Sequence, residues 1–358
     1  MTETVEMKTA SATPSETKLM KAIVRTRFGP PKVLQLKEVE KPVPNEVRGV
    51  LVKIFAAAVN PADRYDMKGP PLLLRMFLPL FKLNMGVFRP KDRGLGSDAS
   101  GRVVAVTDSV SQFKPGDEVF GSCLGSYAEY AVAREERLVL KPVNCSFDEA
   151  AAVPIAAVTA LQALRDHGHI QSGQKVLVNG AGGGVGTYAV QIAKYFGGEV
   201  TAVTNTENLE LVRSLGADHV IDYTKEDYTE SGERYDLICE IAANHGFSDY
   251  KRSLTPDGTF VLVGMRDKII LRLLYFTLLR RLLSGGRKFR FFIAKINQND
   301  LNLLRDLLET RKVRSVIDRR YRLDEVGEAM KYLGEGHVRG KLVINVGSDM
   351  KNTPVRGR

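Results

Sequence analysis

Residues 176–194, VLVNGAGGGVGTYAVQIAK, run from an apolar stretch through five glycines in seven positions into a helical pattern. Glycine loses more freedom on ordering than any other residue, so this corner requires positive φ angles or a backbone that another molecule can approach closely. A helix opening here turns unbonded N–H groups and a partial positive charge toward the corner, which suits a pyrophosphate. Strand, glycines and helix in that order are the context in which a glycine motif binds a dinucleotide. Two spacings fit: Ala181-x-Gly183-x-x-Gly186, with alanine first, and Gly180-xxx-Gly184-x-Gly186. The second spacing belongs with an N-terminal motif and a tyrosine followed four residues later by lysine. Here the motif is internal, and none of the twelve tyrosines has that lysine.

Outward from the corner, short apolar strands (KVLVNG, EVTAVT, HVIDY, YDLICEIA, GTFVLVG) alternate with amphipathic helices such as TYAVQIAKYFG and NLELVRSLGA. That alternation predicts βαβ units on a doubly wound parallel sheet, an α/β fold. Upstream the texture is different. KAIVRTRF, LQLKEVEKPVP, GVLVKIFAAAVNP, SGRVVAVT and AEYAVAREERLVLKP read as strands punctuated by Pro and Gly, so residues 20–142 are mostly β. FDEAAAVPIAAVTALQALRDHG opens a helical region with a boundary at Pro154. The tail, from about 298, reads as helix, strand, helix, strand. No internal repeat is present.

The chain has 358 residues, 44% hydrophobic and 26% charged, enough for two cores of an ordinary globular protein. Three scattered cysteines without a CxxC pair argue against a disulfide framework and a thiolate zinc site. No HxxxH pair is found among the five histidines. Residues 1–19 are polar and aperiodic and read as a disordered leader, with Met20 as an alternative start. Without a targeting segment the expected location is cytoplasmic. Charge is uneven: between Arg266 and Lys295 nine Lys/Arg stand against Asp267, which places +8 of the formal +10 in thirty residues.

Six further stretches, AAAVNPADRYDMKG (56–69), LGSDASGRVV (95–104), FKPGDEVFG (113–121), GSYAEYAV (125–132), GAGGGVGTYAVQIAK (180–194) and SLGADHVIDY (214–223), complete the pattern. In them the chain resembles the medium-chain dehydrogenase/reductase superfamily, in its zinc-independent quinone-oxidoreductase branch, from residue 20 to about 346. The resemblance implies a GroES-like, mostly-β catalytic domain over 20–145, completed by about 300–346. It implies a Rossmann domain over 146–299 with a basic insert at 266–295, and a flexible tail over 347–358. The zinc ligands of the family's alcohol dehydrogenases have no counterpart, since the cysteine position falls near Asn60 and the GHE position reads Gly96-Ser97-Asp98. Zinc requires three or four convergent ligands, so a metal-free site is expected. Hydride delivery to an acceptor that is already electrophilic, a quinone or an α,β-unsaturated carbonyl, remains feasible there, because the developing charge needs only hydrogen-bond donors and a proton.

By the same resemblance Asn60 and Tyr65 face the nicotinamide and substrate, and Tyr65 could donate a hydrogen bond or relay a proton. The cofactor set it implies is Gly182, Gly183, Gly184, Val185, Gly186, Thr204, Asn205, Tyr223, Thr159 and Gly264. Tyr127 reads as structural. An NAD enzyme places an acid after the second strand of the fold; here the strand ends Thr204-Asn205-Thr206, which favours NADPH, with NADH possible. Glu207 is the departure, since it would repel a phosphate unless it points to solvent. The basic stretch fits a dimer contact, a lid over a lipophilic substrate or a peripheral membrane face; it is too interrupted by Arg to span a membrane and carries no nucleic-acid signature. A second Leu/Phe-rich insert occupies 70–90. The expectation is a reductase acting as a homodimer, with an alcohol dehydrogenase and a non-catalytic cofactor-binding protein as the alternatives.

Overall fold

The computed structural model describes residues 19–69, 94–263 and 286–347. The insert at 70–90, Gly264 and most of the basic stretch lie outside them. Strands β1 (Leu19–Arg25) and β2 (Leu34–Glu40) form an antiparallel pair. The strand β3 (Val50–Val59) is apolar at almost every position and buried along nearly its whole length, as a central strand should be. It pairs antiparallel with β4 (Asp98–Val106) and, at its start, with β6 (Tyr130–Leu140); β5 (Glu118–Leu124) joins β4 to β6, so the four strands close on themselves. The last half of β3 pairs instead with β14 (Lys341–Asn345), and β13 (Ile317–Arg322) lies outside β14. The C-terminal strands thereby complete the first domain's sheet, giving the GroES-like half of the fold.

The corner after β3 is set by its sequence. Asn60 caps helix α1 (Pro61–Lys68), Pro61 takes the first helical position, and the Asp63 carboxylate accepts the Asn60 backbone N–H at 2.8 Å. Gly69, at φ +67°, ends the helix. Two short helices follow the barrel, α2 (Phe147–Ala151) and α3 (Pro154–Leu161), divided at Pro154 and continued by a π-helical turn at Gln162–His167.

The second domain is a six-stranded sheet with every pairing parallel. Its strands are β7 (Lys175–Asn179), β8 (Glu199–Thr204), β9 (His219–Asp222), β10 (Tyr235–Glu240), β11 (Leu254–Leu262) and β12 (Lys288–Phe291), in the spatial order β12-β11-β10-β7-β8-β9. Helices α4 (Gly184–Tyr195), α5 (Leu209–Ser214) and α6 (Phe247–Arg252) provide connections, as in a Rossmann domain. Two placements differ from the sequence reading. Residues 288–291, taken as part of the basic insert, form the edge strand, with Phe289 buried and its charged neighbours turned outward. The expected completion of the first domain by residues from about 300 does not include the helix α7 (Gln298–Glu309). Instead its Leu301, Leu304, Leu307 and Leu308 sit in the core that surrounds β7 and α4, because that face repeats at helical spacing against Rossmann side chains. Helix α8 (Val326–Glu335) returns to the first core through Val326, Ala329 and Met330.

Candidate active site

From β7 the chain runs to β8 and β9 on one side, then crosses to β10 and β11 on the other. Such a reversal leaves a crevice at the carboxyl ends of the strands. A cavity of about 390 Å³ opens there, lined by Asn179, Gly180, Ile241 and Ala242 from the two diverging strands. Thr204, Asn205, Asn208 and Tyr223 line one end; Val59, Asn60, Pro61 and Lys341 of the first domain close the other.

The glycines of the corner have different reasons. Gly180 takes φ +88°. A Cβ at Gly182 would lie 2.7 Å from both Thr204 Oγ1 and Asn208 Nδ2, and one at Gly186 would lie 2.1 Å from the Gly180 carbonyl oxygen. Those positions are fixed by the protein's own packing. Gly183 is not. Its φ of −87° and ψ of −178° suit any residue, and the nearest atom of the described residues to an added Cβ is 3.6 Å away. A side chain there would stand in open space on the cavity wall, at the N-terminus of α4. Beside it, Asn205 Oδ1 and Asn208 Oδ1 are buried without a hydrogen-bond partner among the described residues. A cradle that only a bound molecule needs, next to orphaned polar atoms and a helix N-terminus, fits a dinucleotide.

The two domains touch at this corner. Gly340 N–H donates to the Gly182 carbonyl at 2.9 Å, and the Lys341 side chain passes 3.1 Å from where a Gly184 Cβ would be. Lys341 is 3% exposed. Its Nζ donates to Asn60 Oδ1 at 2.5 Å and to the Val59 carbonyl at 3.1 Å, with Asp98 Oδ2 at 3.8 Å. Asn60 Nδ2 in turn donates to Asp98 Oδ2 at 2.9 Å. Ile155 N–H donates to Asp98 Oδ1 at 3.1 Å, and the Tyr127 hydroxyl donates to Asp63 at 2.8 Å. Burial pushes the Asp98 carboxyl up to about 7 and Asp63 up to about 6, and it pushes the Lys341 ammonium down. Under the cavity, Glu240 is fully buried and pushed up to about 7 by desolvation. It accepts both Asn179 Nδ2, at 2.9 and 3.0 Å, and the N–H of Ala243, at 2.6 Å, which pins a loop whose Ala243 has φ +52°.

Gly182, Gly183, Gly184, Val185, Thr204, Asn205, Tyr223 and Asn60 all line the cavity. Gly186 does not; it packs the helix onto Gly180. Thr159 lies one turn beyond Ala156, which takes the lining position on α3, and Gly264 lies outside the described residues. Tyr65 is 47% exposed on α1 and is not among the lining residues. Asn60 is at the wall, but both ends of its amide are committed within the protein, so it positions neighbours rather than reaching into the cavity. Tyr127 is buried against Asp63. Glu207 is exposed and off the lining. Sequence reasoning missed Lys341, Asn179, Asn208 and His337; of these only Lys341, between Gly340 and an apolar strand, carried a local signal.

Residues 46–143 match the alcohol dehydrogenase GroES-like domain, and residues 215–344 match the zinc-binding dehydrogenase domain. The chain is 35% identical to 2-methylene-furan-3-one reductase of Solanum lycopersicum, over 95% of its own length and 82% of that protein's. It belongs to the medium-chain dehydrogenase/reductase superfamily, in the quinone-oxidoreductase-like branch. This member of the superfamily is therefore an oxidoreductase with a nicotinamide cofactor. It is 32% identical to the chloroplastic NADPH-dependent alkenal/one oxidoreductase of Arabidopsis thaliana, covering 91% of this chain and 80% of the relative. The quinone oxidoreductase from Coxiella burnetii superposes with a TM-score of 0.77 at 30% identity, covering 92% and 100% of the two chains.

Proposed function

We propose that this protein is a zinc-independent reductase that uses NADPH to reduce a quinone or an α,β-unsaturated carbonyl. The observation that carries the reading is the cavity lining: a glycine cradle at a helix N-terminus, and no carboxylate among the described lining residues. An acid beside the ribose would favour NADH, whereas Thr204, Asn205 and Asn208 offer hydroxyl and amide groups that suit a 2′-phosphate. Lys341 supplies an ammonium to that lining, and the His337 imidazole lies on it as well.

When bound, the reduced nicotinamide supplies hydride. The chain's own groups do the rest. The α4 N-terminus and the open backbone at Gly183 hold the phosphates. Lys341 and Asn60 form the wall at the reacting end, with the buried Asp98 bracing them from behind. The positions at which family relatives with zinc have ligands are here Asn60, Ser97 and an Asp98 already bonded to Asn60 and the Ile155 N–H, a donor set that supports metal-free chemistry. Tyr65, on α1 outside the described lining, takes the part of hydrogen-bond donor in this reading only for an acceptor that extends past Pro61. The curated names of the relatives, a furanone reductase and an alkenal/one oxidoreductase, support an activated carbon–carbon double bond as the target.

The edge strand β12 presents Phe291, 41% exposed, and is the proposed homodimer contact. Among the described residues no helix is long and apolar enough to cross a membrane; a cytoplasmic location with peripheral lipid contact through 266–295 is part of the proposal. The test is NADPH oxidation with small quinones and enones after exhaustive chelation. Full activity is expected. Activity lost on chelation and restored by zinc overturns the metal-free reading.

A further inference from the structure

A second cavity, of about 470 Å³, lies against the first. Pro61 and Ala156 line the cofactor cavity, while their chain neighbours Ala62 and Ile155 line the second, so the two meet across the width of a residue. Part of its wall is a bulge in β6. Gly121 pairs with Leu138 and Cys123 with Ala133, so Ser122 alone faces residues 134–137. The bulge is built in. A Cβ at Gly121, where φ is +152°, would lie 2.0 Å from the Arg137 carbonyl oxygen. Within the bulge, the Glu135 carboxylate accepts the backbone N–H groups of Ser111 at 2.9 Å and Gln112 at 2.5 Å.

Bulges beside active sites re-aim side chains. This one sets Arg134 and Arg137 on the lining, where Arg48 joins them. Arg134 has an exposed ion pair with Glu136 at 3.4 Å. The guanidinium groups of Arg48 and Arg137 have no hydrogen-bond or ion-pair partner among the described residues. Two carboxylates, Asp63 and Asp66, also line the cavity. Asp63 is already bonded by Tyr127 and by the Asn60 N–H. Ser97 and Ser122, whose hydroxyls are hydrogen-bonded to each other at 2.8 Å, leave one hydroxyl hydrogen to donate into the cavity.

We infer that this cavity holds an anionic end of the acceptor, a carboxylate or phosphate, while the reducible end lies at the wall shared with the cofactor. Planar guanidinium forks match both oxyanions in geometry and charge, and a cleft lined by cations concentrates such ligands. The inference rests on the reductase reading for the placement of the reducible end, and on the bulge and its arginines for the charge.

The test compares 4-oxopent-2-enoate with its methyl ester, which carries the same enone without the charge, and with a phosphate-ended enone of similar length. The wild-type protein is expected to favour the anions about tenfold in kcat/KM, through KM. Arg48→Gln with Arg137→Gln should bring the acceptors within about twofold, leave the ester unchanged and leave the affinity for NADPH intact. The anion losing more in that variant identifies the natural group. In parallel, calorimetry measures binding of the saturated 4-oxopentanoate and its methyl ester. Equal binding and equal turnover of charged and neutral compounds overturns the anion site. Arginine-dependent binding of 4-oxopentanoate with no enone reduced keeps the anion site and overturns the reductase reading instead.

Discussion

Replacing Gly183 by valine separates what the cofactor requires from what the fold requires. The backbone there is extended, with φ −87°, a conformation that β-branched residues adopt readily. Among the described residues no atom lies within 3.4 Å of the added Cβ. Folding should therefore be unaffected or slightly favoured, because the unfolded chain loses glycine's freedom, an effect of about 0.4–1 kcal/mol. Binding should collapse. The valine methyls would occupy the approach to the α4 N–H groups, and hydrogen bonds to charged groups contribute roughly 1.5–3 kcal/mol each. Losing two of them weakens NADPH affinity by roughly 10²–10⁴-fold, at about 1.4 kcal/mol per factor of ten. Gly186→Ala is the control with the opposite outcome. Its Cβ would sit 2.1 Å from the Gly180 carbonyl oxygen, so it should destabilise the protein by more than about 3 kcal/mol. Thermal melting and NADPH fluorescence titration of both variants give the four numbers needed. A Gly183→Val protein that binds NADPH within threefold of the wild type refutes the argument, as does one that unfolds as easily as Gly186→Ala.

Lys341→Met leaves Asp98 buried without its cation and should cost about 3–5 kcal/mol in urea unfolding; adding Asp98→Asn should recover part of that loss, and no recovery would refute the pairing. Because burial raises Asp98, Asp63 and Glu240, the folded protein holds protons that the unfolded chain has released. Their contribution to stability is thus present below about pH 4 and lost as pH rises to about 7. Asp98→Asn should flatten urea midpoints measured across that window. Asn205→Asp places a carboxylate on the cofactor lining and should shift the NADPH/NADH ratio of kcat/KM about tenfold toward NADH. Glu207→Arg, exposed and off the lining, should change it less than about threefold at moderate salt.

Much of this arrangement was legible because it is encoded locally. The glycine corner and the alternation that follows it each depend on residues a few positions apart, and the structure places them as read; the helix that starts at Pro61 was not read. The misreadings share a cause. Lys288–Phe291 looked like part of a solvated basic face, since a four-residue edge strand has too few alternations to stand out beside seven nearby cations. Helix α7 is amphipathic whichever domain it packs on; the sequence shows a buried face, not its partner. Lys341 was missed because a buried ammonium is explained only by Asn60 and Asp98, more than 240 residues away. Asn60 itself was found, but its amide orientation depends on that same lysine.

The pairing of β14 with β3 has a consequence for biogenesis. Leu342 lies opposite Val59, and β14 covers the half of β3 that leads into Asn60, whereas the first half is already covered by β6. As the chain leaves the ribosome, the barrel strands and then the parallel sheet can form from segments already made. The end of β3 keeps one bare hydrogen-bonding edge until β14 emerges, after the whole parallel sheet has been made. The same strand delivers Lys341 to Asn60 and Gly340 to the glycine corner. A nascent chain therefore cannot assemble this wall of the cavity until residue 341 has emerged, and a protein cut short before it would carry two cores with the seam between them unsewn.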